Sequence, residues 1–216
     1  MIKAEPWRSA MHPNRAFRKS SEHRNIAFAR EQGFGLLCVN GDDGPLVSHI
    51  PFLLSEDGAQ VDFHLVKSNP IARALSVPVR ARLAVQGPHS YVSPDWYGVI
   101  DQVPTWNYVA VHLQGEMELR PQEEMQDLLD RQSDLFETRL APKRPWTSQK
   151  MSAGVMEAMM RQIVPCRMAV DQIDGTWKLN QNKPDDVRLR AADAVEVVGM
   201  GRDVDLVAAM MRDPDE

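Results

Sequence analysis

Four short segments of the sequence combine side chains that could bind or transform a ligand. Residues 87–97 and 103–108 place large rings beside hydrogen-bonding groups, and residues 175–182 add a tryptophan, a lysine and three amides. Residues 64–73 place two cations and a serine between a predicted strand and a predicted helix. Rings beside oriented donors are typical of sites for flat heteroaromatic ligands, whereas cations at the start of a helix are typical of phosphate sites.

Each of these interpretations has a structural alternative. The ring-rich segments could pack on each other with satisfied hydrogen bonds, and a capped helix flanked by Lys67 and Arg73 could be an ordinary surface feature. Convergence of Lys67, Ser68 and Arg73 on a phosphate is therefore a hypothesis, based on the strength of charge-assisted hydrogen bonds.

Other kinds of chemistry lack their sequence patterns. The six histidines and two cysteines show no H-x-x-H, H-x-x-x-H or C-x-x-C spacing, so we expect no metal site. G-x-S-x-G, G-x-G-x-x-G and Walker lysine motifs are also absent, which argues against α/β-hydrolase, Rossmann and P-loop proteins. Cys38 and Cys166 lie in apolar runs and are expected to be reduced core residues, with a disulfide as the alternative.

The composition argues against nucleic-acid binding and membrane insertion. The chain has 25 Lys and Arg against 30 Asp and Glu, and its net charge of −5 has the wrong sign for binding phosphate backbones. No apolar run reaches the roughly 20 residues that span a bilayer, and the N-terminus has no apolar segment typical of a secretory signal. We therefore expect a cytoplasmic protein.

The hydrophobic periodicity predicts mainly antiparallel strands with peripheral helices, which is an α+β pattern. A first helix, capped by Ser20 or Ser21, is expected to end near Gln32. The predicted strands are residues 34–38, 46–54, 61–66, about 80–86, 109–119 and 164–170. Further helices are predicted over residues 69–76 with Ser68 as N-cap, 125–136, 155–163, from about 184, and after 201.

Three details of this prediction bear on the candidate segments. Residues 87–97 are expected to form a loop, and Asp174-Gly175 is expected to close the last long strand. The methionines in the 155–163 stripe are interpreted as core residues, because flexible thioethers commonly fill gaps in cores.

Four motifs resemble those of the PaiB-like FMN-binding family, whose members are often labelled negative transcriptional regulators. In chain order they are SHIPFLL at residues 48–54, GPHSYVSPDWY at 87–97, VPTWNYVAVH at 103–112 and WKLNQN at 177–182. The resemblance covers about residues 1–195. It implies an antiparallel split β-barrel, related to pyridoxamine-phosphate oxidases and small flavin reductases, with FMN bound at the subunit interface of a homodimer.

The resemblance also implies where the flavin lies. Its phosphate is expected at Lys67, Ser68, Asn69 and Arg73, and its ring edge at the strand backbone of Ser48, His49 and Ile50. Other residues expected at the cofactor are His64, Leu65, Trp106, Asn107, Tyr108, Trp177, Lys178 and Gln181. Lys178 is the candidate cation near flavin N1 and the C2 carbonyl, and His89 or Tyr91 is the candidate proton donor to a substrate.

The chain departs from the family pattern at two of these segments. Lys67 stands where the family usually has Arg, which keeps the charge but loses the bidentate fork, and Asn180 stands where Ser is usual. The expected organisation is an N-terminal arm at 1–20, an FMN-binding split-barrel domain at 21–198 with a helical insertion at about 121–161, and a C-terminal tail at 199–216.

These features favour an FMN-binding, oxidoreductase-like homodimer that acts on a small molecule. The alternative is a non-catalytic transcriptional regulator or sensor that binds flavin or haem. The candidate DNA contact is the basic arm, formed by Arg8, Arg15, Arg18, Lys19 and Arg24. Because the sequence shows no base-reading helix, direct DNA binding is not expected.

Overall fold

The computed structural model describes residues 11–214. The α-helices in this part of the chain are α1 (Glu22–Gln32), α2 (Pro70–Ala74), α3 (Met125–Glu137), α4 (Val155–Met160), α5 (Asp185–Val198) and α6 (Val204–Arg212). The strands are β1 (Phe34–Gly41), β2 (Gly44–Pro51), β3 (Leu53–Leu54), β4 (Gln60–Val66), β5 (Val79–Val92), β6 (Thr105–Leu119), β7 (Ile163–Lys178) and β8 (Met200–Arg202). Short 3-10 helices include Arg15–Arg18 and Pro94–Tyr97.

The eight strands form one sheet in the order β2-β1-β5-β6-β7-β4-β3, with β8 paired to β5. β1 pairs antiparallel with β2 and β5, β4 with β3 and β7, and β5 with β8. This arrangement confirms the antiparallel α+β prediction. None of the described helices is long and apolar enough to cross a membrane.

The chain divides into two compact units, of which the second contains residues 26–85 and 113–173. Its core follows from strand alternation, since every second residue of a strand points to the same face. The core side chains of these strands include Leu37 and Val39 of β1, Val61, Phe63 and Leu65 of β4, and Leu113 and Met117 of β6. The first helix begins, as predicted, next to Ser21, whose Oγ accepts a hydrogen bond from the Arg24 N–H at 3.1 Å.

The first unit contains residues 11–25, 86–112 and 174–214 of the described chain. Its helices α5 and α6 pack against each other through buried apolar side chains. The buried positions of these two helices are Val187, Ala191, Ala192, Val195, Val207, Ala208 and Met211. Tyr97, at the end of a 3-10 helix, is buried in the same unit.

The long strands extend further than the sequence predicted. β5 continues to Val92, so residues 87–92 are strand rather than loop, and β6 already begins at Thr105. β7 continues past Asp174 and Gly175 to Lys178. Gly175 is not a turn residue: a Cβ at this position would lie 2.2 Å from the Asn25 Oδ1, so glycine allows a close approach inside the strand.

Three other predictions were wrong in detail. The predicted strand 46–54 is interrupted at Phe52, whose N–H donates to the Gly33 carbonyl at 2.9 Å. Asn69, not Ser68, caps α2, because the Asn69 side chain accepts the Ile71 N–H at 2.9 Å and Pro70 occupies the first turn. The α4 methionines are not core residues, since no residue of α4 is buried.

Candidate functional site

The phosphate candidates lie in the turn between β4 and α2. The Asn69 N–H donates to the Val66 carbonyl at 2.8 Å, which closes the turn, and the Lys67 N–H donates to the Gln162 carbonyl at 2.9 Å. The Asn69 amide also donates to the Ser48 Oγ at 3.0 Å. The turn is therefore fixed at its backbone and tied to β2.

Three side chains of this turn remain exposed. Lys67, Ser68 and Arg73 all face solvent. Within residues 11–214, neither Lys67 nor Arg73 forms an ion pair with a carboxylate. Two uncompensated cations and a hydroxyl within seven residues of chain suit a dianionic phosphate.

The other second-unit candidates lie on β2 and β4. His49 is exposed, and its ring stacks on Phe34 with centroids 6.3 Å apart, whereas Ile50 is buried. On β4, Leu65 is buried, and the Nδ1 of His64 is buried without a hydrogen-bond partner in the described chain. Burial lowers the pKa of His64 below its usual value, which favours the neutral imidazole.

In the first unit, the Trp106 ring lies close to both candidate proton donors. Its ring centroid is 5.9 Å from that of His89 and 6.0 Å from that of Tyr91. The Nδ1 of His89 lies 3.3 Å from the Gly87 carbonyl and 3.3 Å from the Gln86 amide nitrogen. Because Trp106 is 44% exposed, this ring cluster of His89, Tyr91 and Trp106 presents the indole ring to solvent.

The end of β7 holds the remaining candidates. Trp177 is buried, its Nε1 donates to the Asn25 Oδ1 at 2.8 Å, and the Arg24 guanidinium lies 3.9 Å from its ring centroid. Gln181 donates to the Trp177 carbonyl and accepts the Leu179 N–H at 2.8 Å. The Gln181 side chain thus bonds to two backbone groups and fixes the chain at the end of β7.

Lys178 is half-buried rather than fully solvated. Its Nζ donates to the Thr105 Oγ1 and lies 5.9 Å from the ring centroid of Phe17. Desolvation lowers the pKa of Lys178, since burial penalises its charged form. A cation that has already lost much of its water gains more from a developing negative charge than an exposed lysine does.

Asn107 and Tyr108 point in different directions on β6. Asn107 is fully buried, and neither atom of its amide has a hydrogen-bond partner in the described residues. Tyr108 is partly exposed, and burial raises the pKa of its hydroxyl. The predicted segment 106–108 therefore supplies one exposed ring, one buried amide and one half-buried phenol.

The family model described as "Putative FMN-binding domain" matches residues 11–172. The chain belongs to this FMN-binding family. The match confirms both the PaiB-like resemblance and FMN as the cofactor. A protein of Bacillus subtilis named "Protease synthase and sporulation protein PAI 2" is 29% identical over 158 residues, which cover 72% of this chain and 75% of that protein. An uncharacterized protein of Emericella nidulans is 27% identical over 193 residues, which cover 70% of this chain and 77% of that protein.

Two solved structures support the fold of this FMN-binding family member. The FAD and heme binding protein from Mycobacterium smegmatis has a TM-score of 0.55 and 18% identity, with 86% of this chain and 82% of that chain covered. A conserved hypothetical protein from Mycobacterium tuberculosis has a TM-score of 0.56 and 16% identity, with 80% and 94% covered. The antiparallel split-barrel class expected from the sequence is confirmed.

The residues present fit FMN. In the second unit, the uncompensated cations Lys67 and Arg73 suit its phosphate. In the first unit, the half-buried Lys178 suits a polar edge of its ring. Sequence reasoning missed Asn25, Thr105 and Phe17, which hold Trp177 and Lys178. Asn25 precedes the buried Ile26 in α1, and a polar residue beside an apolar face was an available signal.

Proposed function

We propose that this FMN-binding protein is an oxidoreductase that acts on a small molecule as a homodimer. The observation that carries the proposal is the ring cluster. Two side chains able to donate protons, His89 and Tyr91, flank the exposed ring of Trp106. Such groups are what a substrate needs when it accepts a hydride and must also be protonated.

The chain's own residues divide the work of holding the cofactor. Lys67, Ser68, Asn69 and Arg73 bind the phosphate, and the strand backbone at Ser48, His49 and Ile50 meets the ring edge. FMN supplies hydride or single-electron transfer when bound. Lys178 would stabilise negative charge that develops on the flavin ring, and its hydrogen bond to Thr105 orients the ammonium.

The remaining candidates position these groups. Gln181 brackets the end of β7 next to Trp177 and Lys178. His64 and Leu65 lie at the end of β4, just before the turn that holds Lys67 and Ser68. Trp106, Asn107 and Tyr108 lie near the start of β6, and of the three Trp106 belongs to the exposed ring cluster. His89 or Tyr91 then hands a proton to the substrate.

The test is a reduction assay under anaerobic conditions. The purified protein is reconstituted with FMN, and the flavin absorbance is followed after addition of NADH or NADPH, then after addition of a small electron acceptor. Bleaching by the nicotinamide and recovery with the acceptor are expected. A flavin that is bound stoichiometrically but is not reduced by either nucleotide contradicts the oxidoreductase proposal.

A flavin- or haem-binding regulator is the second candidate. The observation that favours it is the name of the Bacillus subtilis relative, which refers to sporulation and protease synthesis rather than to a reaction. The visible spectrum of the purified protein separates flavin from haem. Failure of reduction, combined with a regulatory phenotype of a deletion strain, favours this candidate.

A further inference from the structure

The C-terminal tail forms a strand beside the two candidate proton donors. β8 pairs antiparallel with β5, so that Arg202 is opposite His89 and Met200 is opposite Tyr91. The family match ends at residue 172, so β8 lies outside the matched region. This tail therefore adds side chains of its own to the ring cluster.

The pairing places these side chains on one face. Directly opposed residues of an antiparallel pair project to the same side, and residues two apart on one strand do so as well. His89 and Tyr91 both contact the ring of Trp106, so this ring lies on that side too. His89, Tyr91, Trp106, Met200 and Arg202 thus share one face of the first unit, which we call the tail face.

The residues between these positions, Ser90 on β5 and Gly201 on β8, fix how β8 pairs with β5. Ser90 is fully buried, and its hydroxyl donates to the Tyr91 carbonyl at 2.9 Å. Gly201 is opposite Ser90, and a Cβ there would lie 2.0 Å from the His89 carbonyl oxygen. Only glycine allows the strands to approach this closely, so the register that places Arg202 opposite His89 is built into the sequence.

The tail face combines an apolar platform with an available positive charge. Trp106 is 44% exposed and Met200 is 59% exposed. The Arg202 side chain is 77% exposed, and in the described chain its ion pair is with the exposed Asp203 at 3.4 Å. Pairs of this exposed kind contribute little, so the guanidinium can exchange Asp203 for a better-placed anion.

We propose that the tail face binds the substrate, and that the substrate is a planar aromatic molecule carrying a carboxylate or phosphate. The ring packs on Trp106 and the Met200 thioether, and the anionic group pairs with Arg202. The inference rests on the proposed function, because it takes His89 and Tyr91 to be the groups next to the substrate.

The test measures binding to the FMN-saturated protein by isothermal titration. Benzoate and phenyl phosphate are the anionic probes, and benzamide and benzyl alcohol are their neutral counterparts. We expect the anions to bind more tightly than the neutral molecules. Arg202→Gln should weaken anion binding about tenfold, the loss of one charge-assisted contact, while neutral probes and FMN content stay unchanged.

Two further variants complete the test: one should tighten anion binding, and the other is a control that should not change it. Asp203→Asn removes the competing carboxylate, and Asn tolerates the left-handed backbone of this position (φ 52°), so anion binding should become tighter. Arg161→Gln changes an exposed arginine of the second unit and should have no effect. A response to benzoate alone identifies a carboxylate ligand, and a response to phenyl phosphate alone identifies a phosphate.

Three results overturn the inference: equal affinity for anionic and neutral probes, unchanged anion binding in Arg202→Gln, or loss of FMN in that variant. Its failure is distinguishable from failure of the proposed function, because binding does not require turnover. A protein that binds anions through Arg202 but is not reduced by nicotinamides keeps the site and loses the oxidoreductase assignment. A protein that is reduced by nicotinamides but does not bind the anions keeps the oxidoreductase assignment and loses the proposed anion site.

Discussion

The indole Nε1 of Trp177 donates to the Oδ1 of Asn25 at 2.8 Å, and both residues are buried. This bond joins the start of α1 to the end of β7, where Lys178 and Gln181 follow. Gly175 lies against the same amide, at a distance that no larger residue could accept. Asn25 therefore positions the end of β7 without being one of the sequence motifs.

Replacing Asn25 with Leu should destabilise the protein by about 1–3 kcal/mol, since the buried indole N–H of Trp177 loses its hydrogen bond to the Asn25 amide. The free energy of unfolding is measured by urea denaturation followed by circular dichroism. Asn182→Leu, at an exposed position, is the matched control and should change stability little. Equal stabilities for the two variants would show that the indole does not depend on this acceptor.

Lys67→Ala should weaken FMN binding by about tenfold or more, because a charge-assisted contact with the phosphate is lost. Lys67→Arg should strengthen it, since the guanidinium adds a bidentate fork. Flavin fluorescence quenching gives both dissociation constants. Arg144→Ala removes a different exposed cation and serves as control. An unchanged constant for Lys67→Ala removes this turn from the site.

The protein should be a homodimer in solution, with a mass of about twice 24.4 kDa. Light scattering coupled to size-exclusion chromatography measures this mass with and without FMN. The resemblance places the cofactor at a subunit interface, so dimer and flavin content should fall together on dilution. A monomer that still holds one FMN per chain contradicts the shared site.

Acidification should destabilise the protein partly through His64. Its pKa is lowered from the usual 6.5 by burial, so the unfolded state binds the proton more readily. The stability contributed by the neutral His64 is fully present above about pH 6.5 and is lost as the pH falls below that value. His64→Gln should flatten this dependence in urea titrations between about pH 7.5 and 5.5. The pKa of His12 is also lowered by burial, so His12 makes its own contribution to the pH dependence of stability. The variant His12→Gln measures that contribution separately.

Specific DNA binding is not expected, because the net charge is −5 and no base-reading helix was found in the sequence. Fluorescence anisotropy at about 0.15 M salt, with the protein's own upstream DNA and a random duplex, measures it with and without FMN. Deletion of residues 1–20 is the matched variant. Tight, preferential binding that this deletion abolishes would make the regulator candidate the better one.

Several elements could be read from the sequence because their causes are local. Alternation of apolar residues predicted β4 and most of β6, and an apolar stripe at helical spacing predicted α3. β1 was placed correctly along the chain, but Cys38, expected in the core, is only partly buried, and Leu37 and Val39 are buried instead. The motifs at residues 48–54, 87–97, 103–112 and 177–182 were sufficient to identify the family and its cofactor.

Local signals failed where two nearby options competed. Ser68 and Asn69 are both residue types that favour the N-cap position. Asn69 is the N-cap in the structure, and its amide also donates to Ser48 on β2. Gly175 is a turn residue by sequence rule, but its neighbour Asn25 makes it a close-approach residue within β7. In both cases the deciding contact lies far away along the chain.

The sequence by itself determined the alternating strands, the amphipathic helices and the residues that mark an FMN-binding chain, because each depends on neighbours within a few positions. The tertiary structure decided that residues 87–92 are strand, that the α4 methionines stay outside the core, and that Arg202 is opposite His89. The strand at residues 89–91 and the position of Arg202 depend on the pairing of β5 with β8, whose partners are more than 100 positions apart along the chain. The free energy of such contacts comes from burial and hydrogen bonding between distant segments, which no short window of sequence contains.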